Sequence, residues 1–124
     1  MSTGARGEST IQAGEREVKV LFTNRALGDA EHQLERSIIS ISRGLQDGTS
    51  GIREIVTLLR VGMEAARRDA RESGRSITLV DAYDVMEHAG FAAVTEAVMM
   101  SVAAVLSYGT EMQAEDGEDA DPNP

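Results

Sequence analysis

The sequence is poor in cysteine and in aromatic residues. Its 124 residues include no cysteine and no tryptophan, and aromatic residues make up only 3%. Without thiols the chain cannot form disulfides or thiolate metal sites. With so few aromatic side chains, its core must consist of Ile, Leu, Val, Met and Ala, which favours packed helices over a β-sandwich or a β-barrel. The composition therefore predicts a small, mainly helical domain.

Basic residues are also scarce, since 12 of them face 21 acidic residues and leave a net charge of −9. Residues 110–124 contain no Lys or Arg and carry Glu111, Glu115, Asp116, Glu118, Asp119 and Asp121. Such a segment cannot bury enough apolar surface to fold, so it is predicted to be a disordered acidic tail. Excess acid also repels nucleic acid and anionic membranes, so we expect neither as a partner.

The start of the chain, MSTGARGEST, lacks the apolar run that a secretory signal needs. We therefore expect a cytoplasmic protein. Its small and polar residues 1–7 are predicted to be disordered. Residues 8–109 have the size of a single domain.

One stretch is apolar, FAAVTEAVMMSVAAVLSY from Phe91 to Tyr108, and its only charge is Glu96. The apolar residues recur at helical spacing and nearly encircle a helix of roughly 27 Å. Such a helix is buried in a core, by a partner or in a membrane. A membrane is disfavoured because the stretch is barely long enough, Glu96 lies near its middle and no basic residues follow it. We expect the domain to be built around this helix.

One flank of the apolar helix is the predicted partner site. Val98, Val102 and Val105 are expected to pack inside, while neighbouring positions lie nearer the surface. Flexible methionine side chains there could pack against many different helices, although Met is also common in ordinary cores. The predicted partner-binding residues are Met99, Met100 and Ala103.

Two short strands are predicted before the helices, at residues 9–12 and 17–22. Val18, Val20 and Phe22 alternate with residues of the other face, so one face of this hairpin is expected to be buried. An isolated hairpin is only marginally stable in water. We therefore expect this one to lie on the helices or on a neighbouring subunit.

Four helices are predicted between the strands and the apolar helix. Thr23 is expected to cap the first, and the second covers SIISISRGLQDG. The third begins at Ile52 with Ser50 as its cap and is expected to end at Gly74. The fourth follows a capping pattern, TLVD at residues 78–81, and ends at Gly90.

The third helix has the clearest amphipathic pattern. Its predicted inner face consists of Ile52, Ile55, Val56, Leu59, Met63 and Ala66. Its predicted outer face consists of Arg53, Thr57, Arg60, Glu64, Arg67, Arg68 and Arg71. On that outer face, Glu64 precedes Arg68 by four residues, which is the better order for a helical ion pair.

Three groups of residues have features of functional sites. Asp81, Asp84 and His88 share one helical face, but a zinc site needs more His or Cys than the chain offers, so a solvated acidic face is favoured. GLQDGTSG lacks the Lys and Ser/Thr of a phosphate-binding loop. The basic cluster from Arg67 to Arg75 is interleaved with acidic residues and has no aromatic neighbour to stack on bases. We expect no catalytic residue, no metal, no cofactor and no enzyme activity.

Three segments resemble the tail assembly chaperones of long-tailed phages and gene transfer agents. They are LFTNRALGDAEHQLERSI, ISRGLQDGTSGIREIVTLLRVGMEAARRDA and SITLVDAYDVMEHAGFAAVTEAV. The shared pattern is one of apolar spacing with a few glycines, including Leu34-Glu35 at the end of a helix and the segment from Gly48 to Met63. The resemblance covers residues 8–106.

This resemblance implies a fold and a function. The fold would be mainly α (α+β), with a small N-terminal hairpin followed by about five helices. The protein would bind the tape-measure protein, help recruit tail-tube subunits in the host cytoplasm and be absent from the mature particle. The family has no catalytic residues to transfer, and self-association into a homo-oligomer stays open.

Two other functions remain as alternatives. A structural tail or neck component could use the N-terminal strands for edge pairing and would be found in purified particles. A host-encoded regulator or toxin-neutralising module would bind a partner unrelated to tails.

Overall fold

The computed structural model describes residues 7–120, with side chains described as far as Tyr108. Two strands come first, β1 (Glu8–Ala13) and β2 (Arg16–Leu21). The helices follow as α1 (Asn24–Leu34), α2 (Ile38–Asp47), α3 (Ile52–Asp69), α4 (Leu79–Ala89) and α5 (Phe91–Ala120). The predicted class, a small N-terminal hairpin followed by five helices, is confirmed.

The two strands form an antiparallel hairpin in which Ile11 lies opposite Val18. Gly14 begins its two-residue turn with φ +68°, which a glycine adopts at no steric cost. The inward residues Ile11, Val18 and Val20 are buried. β2 packs on α3, and β1 packs on α4 and α5. The hairpin therefore lies on the helices, which is the first of its two predicted placements.

α3, rather than α5, is the central element. Between Ile55 and Glu64 every residue except Arg60 is buried, and α3 packs against β2, α1, α4 and α5. Only 22% of the stretch Phe91–Tyr108 in α5 is buried. The prediction that the domain is built around the apolar helix is thus wrong. The apolar run of α3 is shorter than that of α5, but β2, α1, α4 and α5 cover α3 on several sides.

The predicted faces of α3 are only partly correct. Leu59 is fully buried as expected, whereas Ile52 at the start of the same stripe is 57% exposed. Thr57 and Glu64 were predicted to face solvent and are both buried. The hairpin and the connection after α3 cover part of the predicted outer face, and a stripe on a single helix does not reveal such coverage.

Two helix starts follow the predicted capping chemistry. At α1, the N–H of Ala26 donates to the Thr23 hydroxyl at 3.0 Å. At α4, the N–H of Asp81 donates to Thr78 Oγ1 and the Asp81 carboxylate accepts from the Thr78 N–H, which completes a capping box. These devices are local in sequence, so the sequence suffices to predict them.

Two boundaries of α3 were predicted wrongly. Gly51 is the N-cap of α3 and provides no side-chain hydrogen bond to the helix. The Ser50 hydroxyl instead lies 3.4 Å from the Glu54 carboxylate. The helix ends at Asp69, well before Gly74, because Arg71 takes the left-handed conformation at φ +57°. A non-glycine residue in that conformation is uncommon, and the residue type did not indicate it.

The ends of the predicted domain also change. Gly7 belongs to the fold, because it is buried and its carbonyl accepts the Phe22 N–H at 2.9 Å. The rest of the predicted disordered N-terminus lies outside the described residues. The backbone of α5 continues through the predicted boundary at Gly109 to Ala120, in a segment rich in good helix formers. The disorder predicted for residues 110–124 stays a prediction, and residues 121–124 lie outside the described part.

Candidate partner-binding surface

The inner face of α5 belongs to the core. Val94, Val98, Ser101 and Val102 are each 0% exposed. The Ser101 hydroxyl lies 2.6 Å from the Ser9 hydroxyl of β1, so even the polar residue of this face is satisfied inside the domain. This face joins α5 to the hairpin and to α3. It is therefore unavailable to a partner.

The opposite side of α5 stays open to solvent. The exposed side chains on that side, named here the α5 outer face, are Ala92, Ala93, Glu96, Met100 and Ala103. Phe91 and Tyr108 are exposed as well, but they lie seven residues from the buried Val98 and Ser101 and so continue the inner side at the two ends of the stretch. Phe91, Met100 and Tyr108 expose 41%, 47% and 46% of their surface. Glu96 is the only charge on the α5 outer face. Met100 is the one large apolar side chain on this face, and its grouping with exposed alanines makes the face the candidate partner surface.

The predicted partner residues do not all lie on this face. Met100 and Ala103 are exposed, whereas Met99 is half-buried and packs against the core cluster. Val98 and Val102 are inside as expected, and Val105 is half-buried. Because successive residues turn by about 100° around a helix, Met99 sits at the margin between the two faces.

Sequence reasoning missed several exposed apolar side chains outside the α5 outer face. Phe91 and Tyr108 lie at the ends of the apolar stretch and were treated as its limits, although both expose large aromatic surfaces. The only sequence signal for their exposure is that each lies at an end of the apolar stretch, next to Gly90 or Gly109. Val80 on α4, at 76% exposed, is a further apolar side chain that the pattern of α4 did not single out.

Two arginines of the basic cluster lie in the last turn of α3 and pair with an acidic residue of the same helix. The Glu64 carboxylate accepts hydrogen bonds from the Arg67 guanidinium at 2.8 Å, from Arg68 at 2.9 Å and from the Ile77 N–H at 2.9 Å. The hydrogen bonds from Arg67, helped by those from Ile77 and Arg68, outweigh burial and lower the pKa of Glu64 to about 2. These arginines therefore stabilise the fold at this point.

Arg75 is similarly engaged. It donates to both oxygens of the Asp81 carboxylate, at 2.9 and 3.0 Å. This bidentate pair, together with the Thr78 N–H, lowers the pKa of Asp81 to about 2. This ion pair attaches the connection between α3 and α4 to the first turn of α4.

The acidic face of α4 is divided between separate partners. Asp81 bonds to Arg75, and Asp84 lies 3.5 Å from Arg16 of β2. His88 approaches the backbone carbonyl of Asp84 at 2.9 Å through Nδ1. Among the described residues, no group of three or more His, Asp or Glu side chains is arranged to hold a metal ion.

The described residues thus include an exposed apolar face on α5 and no constellation of nucleophile, base and orienting group. Comparisons of this chain with family models, with curated proteins and with solved structures gave no match. The functional assignment therefore depends on the α5 outer face and on the resemblance in sequence.

Proposed function

We propose that this protein is a tail assembly chaperone of a phage or a gene transfer agent. In this role it binds the tape-measure protein in the host cytoplasm, helps recruit tail-tube subunits and leaves before the particle is complete. The observation that carries the proposal is the α5 outer face, an exposed apolar helix surface on an otherwise ordinary small domain.

The chemistry of this face suits a helical client. A long tape-measure helix has apolar stretches that aggregate when they are bare, and an apolar helix face can cover them through helix–helix packing. Met100 lies near the centre of the face, and a flexible methionine adapts to clients of varied sequence. The single charge, Glu96, leaves the interaction mainly apolar, so binding is expected to vary little with salt.

Membrane insertion is a less favourable use of the same helix. By length and composition alone, Phe91–Tyr108 could cross a bilayer. Withdrawing it from the domain would remove Val94, Val98 and Val102 from the core and separate the Ser9 and Ser101 hydroxyls. The loss of several buried valines would cost several kcal/mol, on the order of a typical domain's stability. This argument favours a protein partner.

Co-expression with the tape-measure protein of the same genome tests the proposal. The wild type is expected to keep that protein soluble and to co-purify with it. Met100→Glu and Ala103→Glu are expected to weaken co-purification at least tenfold, because each desolvates a charge at the contact. Val80→Glu places the same charge at an exposed apolar residue of α4 and serves as the matched control.

The folded state of each variant is checked by circular dichroism. Met100→Glu should stay folded, since Met100 is exposed, whereas Val102→Glu should unfold the domain. If the wild type fails to bind the tape-measure protein, the chaperone proposal is wrong. Detection of the protein in purified particles would instead favour a structural tail or neck component.

A further inference from the structure

Within residues 7–120, the edge of the hairpin along β2 is unpaired, and the hydrogen-bond pattern identifies the groups on it. The Phe22 N–H donates to the Gly7 carbonyl, so these residues form a hydrogen-bonded pair of the antiparallel ladder. Such pairs alternate with non-hydrogen-bonded pairs. Counting back from Phe22, the residues Leu21, Lys19 and Glu17 therefore direct their backbone N–H and C=O groups away from β1.

These outward groups are available within the described part of the chain. No backbone group of another element there pairs with Glu17, Lys19 or Leu21. The side chains of Glu17 and Lys19 are exposed on the outer surface of the sheet. An unpaired strand edge is a template for another strand, and a sheet of two strands gains most from such an addition.

A second copy of β2 fits this edge in an antiparallel register centred on Val18. Glu17 then lies opposite Lys19 of the second copy, and the two-fold symmetry repeats this pair on the other side. Because both residues direct their backbone groups outward, these are hydrogen-bonded pairs. Opposite charges directly across an antiparallel pair stabilise it, and here the complementarity comes from a single strand.

Neighbouring registers are less favourable. A shift of the register by one residue would place an inward valine opposite an outward charged residue and so break the alternation of inward and outward side chains. Registers centred on Glu17 or on Lys19 keep the alternation but bring that charge against its own copy. On the other edge, Glu8, Thr10 and Gln12 face outward, and self-pairing of β1 yields no opposite-charge pair.

The space beneath the β2 edge can accept a second strand. A groove of about 300 Å³ lies between β2 and the C-terminal half of α3, and its lining includes Met63, Ala66 and Ala70. The lining also includes the charged residues Arg16, Arg67 and Glu72, so its apolar residues provide only part of the floor for the inward residues of an added strand. In the Val18 register, those residues are Arg16, Val18 and Val20 of the second copy, and Arg16 of one copy lies opposite Val20 of the other.

We propose that two copies of this chain associate through β2 and join their hairpins into one four-stranded antiparallel sheet. The partner is thus a second copy of the chain, recognised by two symmetric Glu17–Lys19 pairs. This inference does not depend on the proposed function, because it uses neither α5 nor a tail protein.

Sedimentation of the full chain at low salt, from about 1 µM to 1 mM, tests the association. The wild type is expected to change from its 13.3 kDa monomer to a dimer over this range. Glu17→Lys and Lys19→Glu each place like charges in both pairs, so each should raise the dissociation constant about tenfold or more. The double variant restores both pairs and should dimerise like the wild type. An equimolar mixture of the two single variants should form a heterodimer.

Glu15→Lys is the matched control, because it changes the net charge as Glu17→Lys does but lies in the turn, opposite Leu21 in this register. Its dissociation constant should stay within about twofold of that of the wild type. Circular dichroism verifies that every variant is folded. A monomer throughout the range would show that the charges protect the edge instead, and would overturn the proposal. A dimer that is insensitive to both single reversals would place the interface elsewhere and would overturn it as well.

Discussion

At the scale of single residues, Glu64 shows how one buried carboxylate fixes a connection. It is 6% exposed, and its oxygens accept hydrogen bonds from two arginines of its own helix and from the backbone of Ile77. The connection from Ala70 to Thr78 has little apolar burial, so polar contacts attach it to α3, and the Glu64 carboxylate is the buried one among them. A buried charge that is paired and fully hydrogen-bonded stabilises a fold only while it stays ionised.

The stability of the domain should therefore depend on the protonation of Glu64. Its pKa is lowered from 4.5 to about 2 in the folded state, so its contribution is complete above about pH 4.5 and is lost as the pH falls toward 2. Glu64→Gln should destabilise the domain by up to roughly 3 kcal/mol at neutral pH. In urea titrations, this difference from the wild type should shrink as the pH is lowered through that range.

Glu87→Gln makes the same change at an exposed glutamate of α4, provides the control and should keep the stability of the wild type at neutral pH. A Glu64→Gln deficit that is the same at pH 2 and at pH 6 would contradict the pKa assignment. The sequence predicts the pair between Glu64 and Arg68, because its spacing is helical. It does not predict the bond to the Ile77 N–H, 13 residues away, which depends on the path of the connection.

At the scale of elements, the close contact between α3 and β2 requires a glycine. A Cβ atom built on Gly62 would lie 2.9 Å from Cε2 of Phe22, whose side chain is 0% exposed. Gly62 thus lets the largest fully buried side chain pack directly on the helix backbone. A glycine inside a helix usually costs about 1 kcal/mol, and here the packing of the phenyl ring offsets that cost.

Two glycine substitutions in helices should therefore change stability in opposite directions. Gly62→Ala should destabilise the domain by about 1–3 kcal/mol, because the Phe22 ring must move. Gly28→Ala in α1 should stabilise it by about 0.4–1 kcal/mol, since no atom lies within 4 Å of the added methyl group. Urea denaturation midpoints measure both. If both variants are stabilised, Phe22 adapts easily and the contact is looser than described.

The elements themselves could be predicted largely from sequence, because their signals are local. The alternation in β2, the turn at Gly14 and the caps at Thr23 and Thr78 involve residues only a few positions apart. The position of α3 at the centre could not be predicted in this way. It depends on which elements cover each face of the helix, and the apolar content of α5 indicated the wrong one.

At the scale of the whole molecule, the chain keeps its most apolar helix only partly covered. The sequence predicts that one flank of α5 is open, and Met100 and Ala103 lie on it. It does not predict that Met99 is held by the core, since a helix apolar on nearly all sides does not define its own orientation. An exposed face of this kind promotes aggregation unless something opposes it, and the acidic C-terminal segment is suited to that role.

Removal of residues 110–124 should therefore separate folding from solubility. Among the described side chains of α5, those that pack on the core reach as far as Leu106, so the melting temperature should change by no more than about 4 °C. The net charge, however, changes from −9 to −3, because the segment carries six acidic residues and no basic ones. Weaker repulsion between copies should lower the solubility limit, measured by precipitation at neutral pH.

A full-length variant with the six acidic residues changed to Asn or Gln has the same net charge of −3 and should precipitate like the truncated chain. If that variant stays as soluble as the wild type, the length of the segment and not its charge protects the α5 outer face. Loss of cooperative melting on truncation would show that the segment belongs to the folded domain.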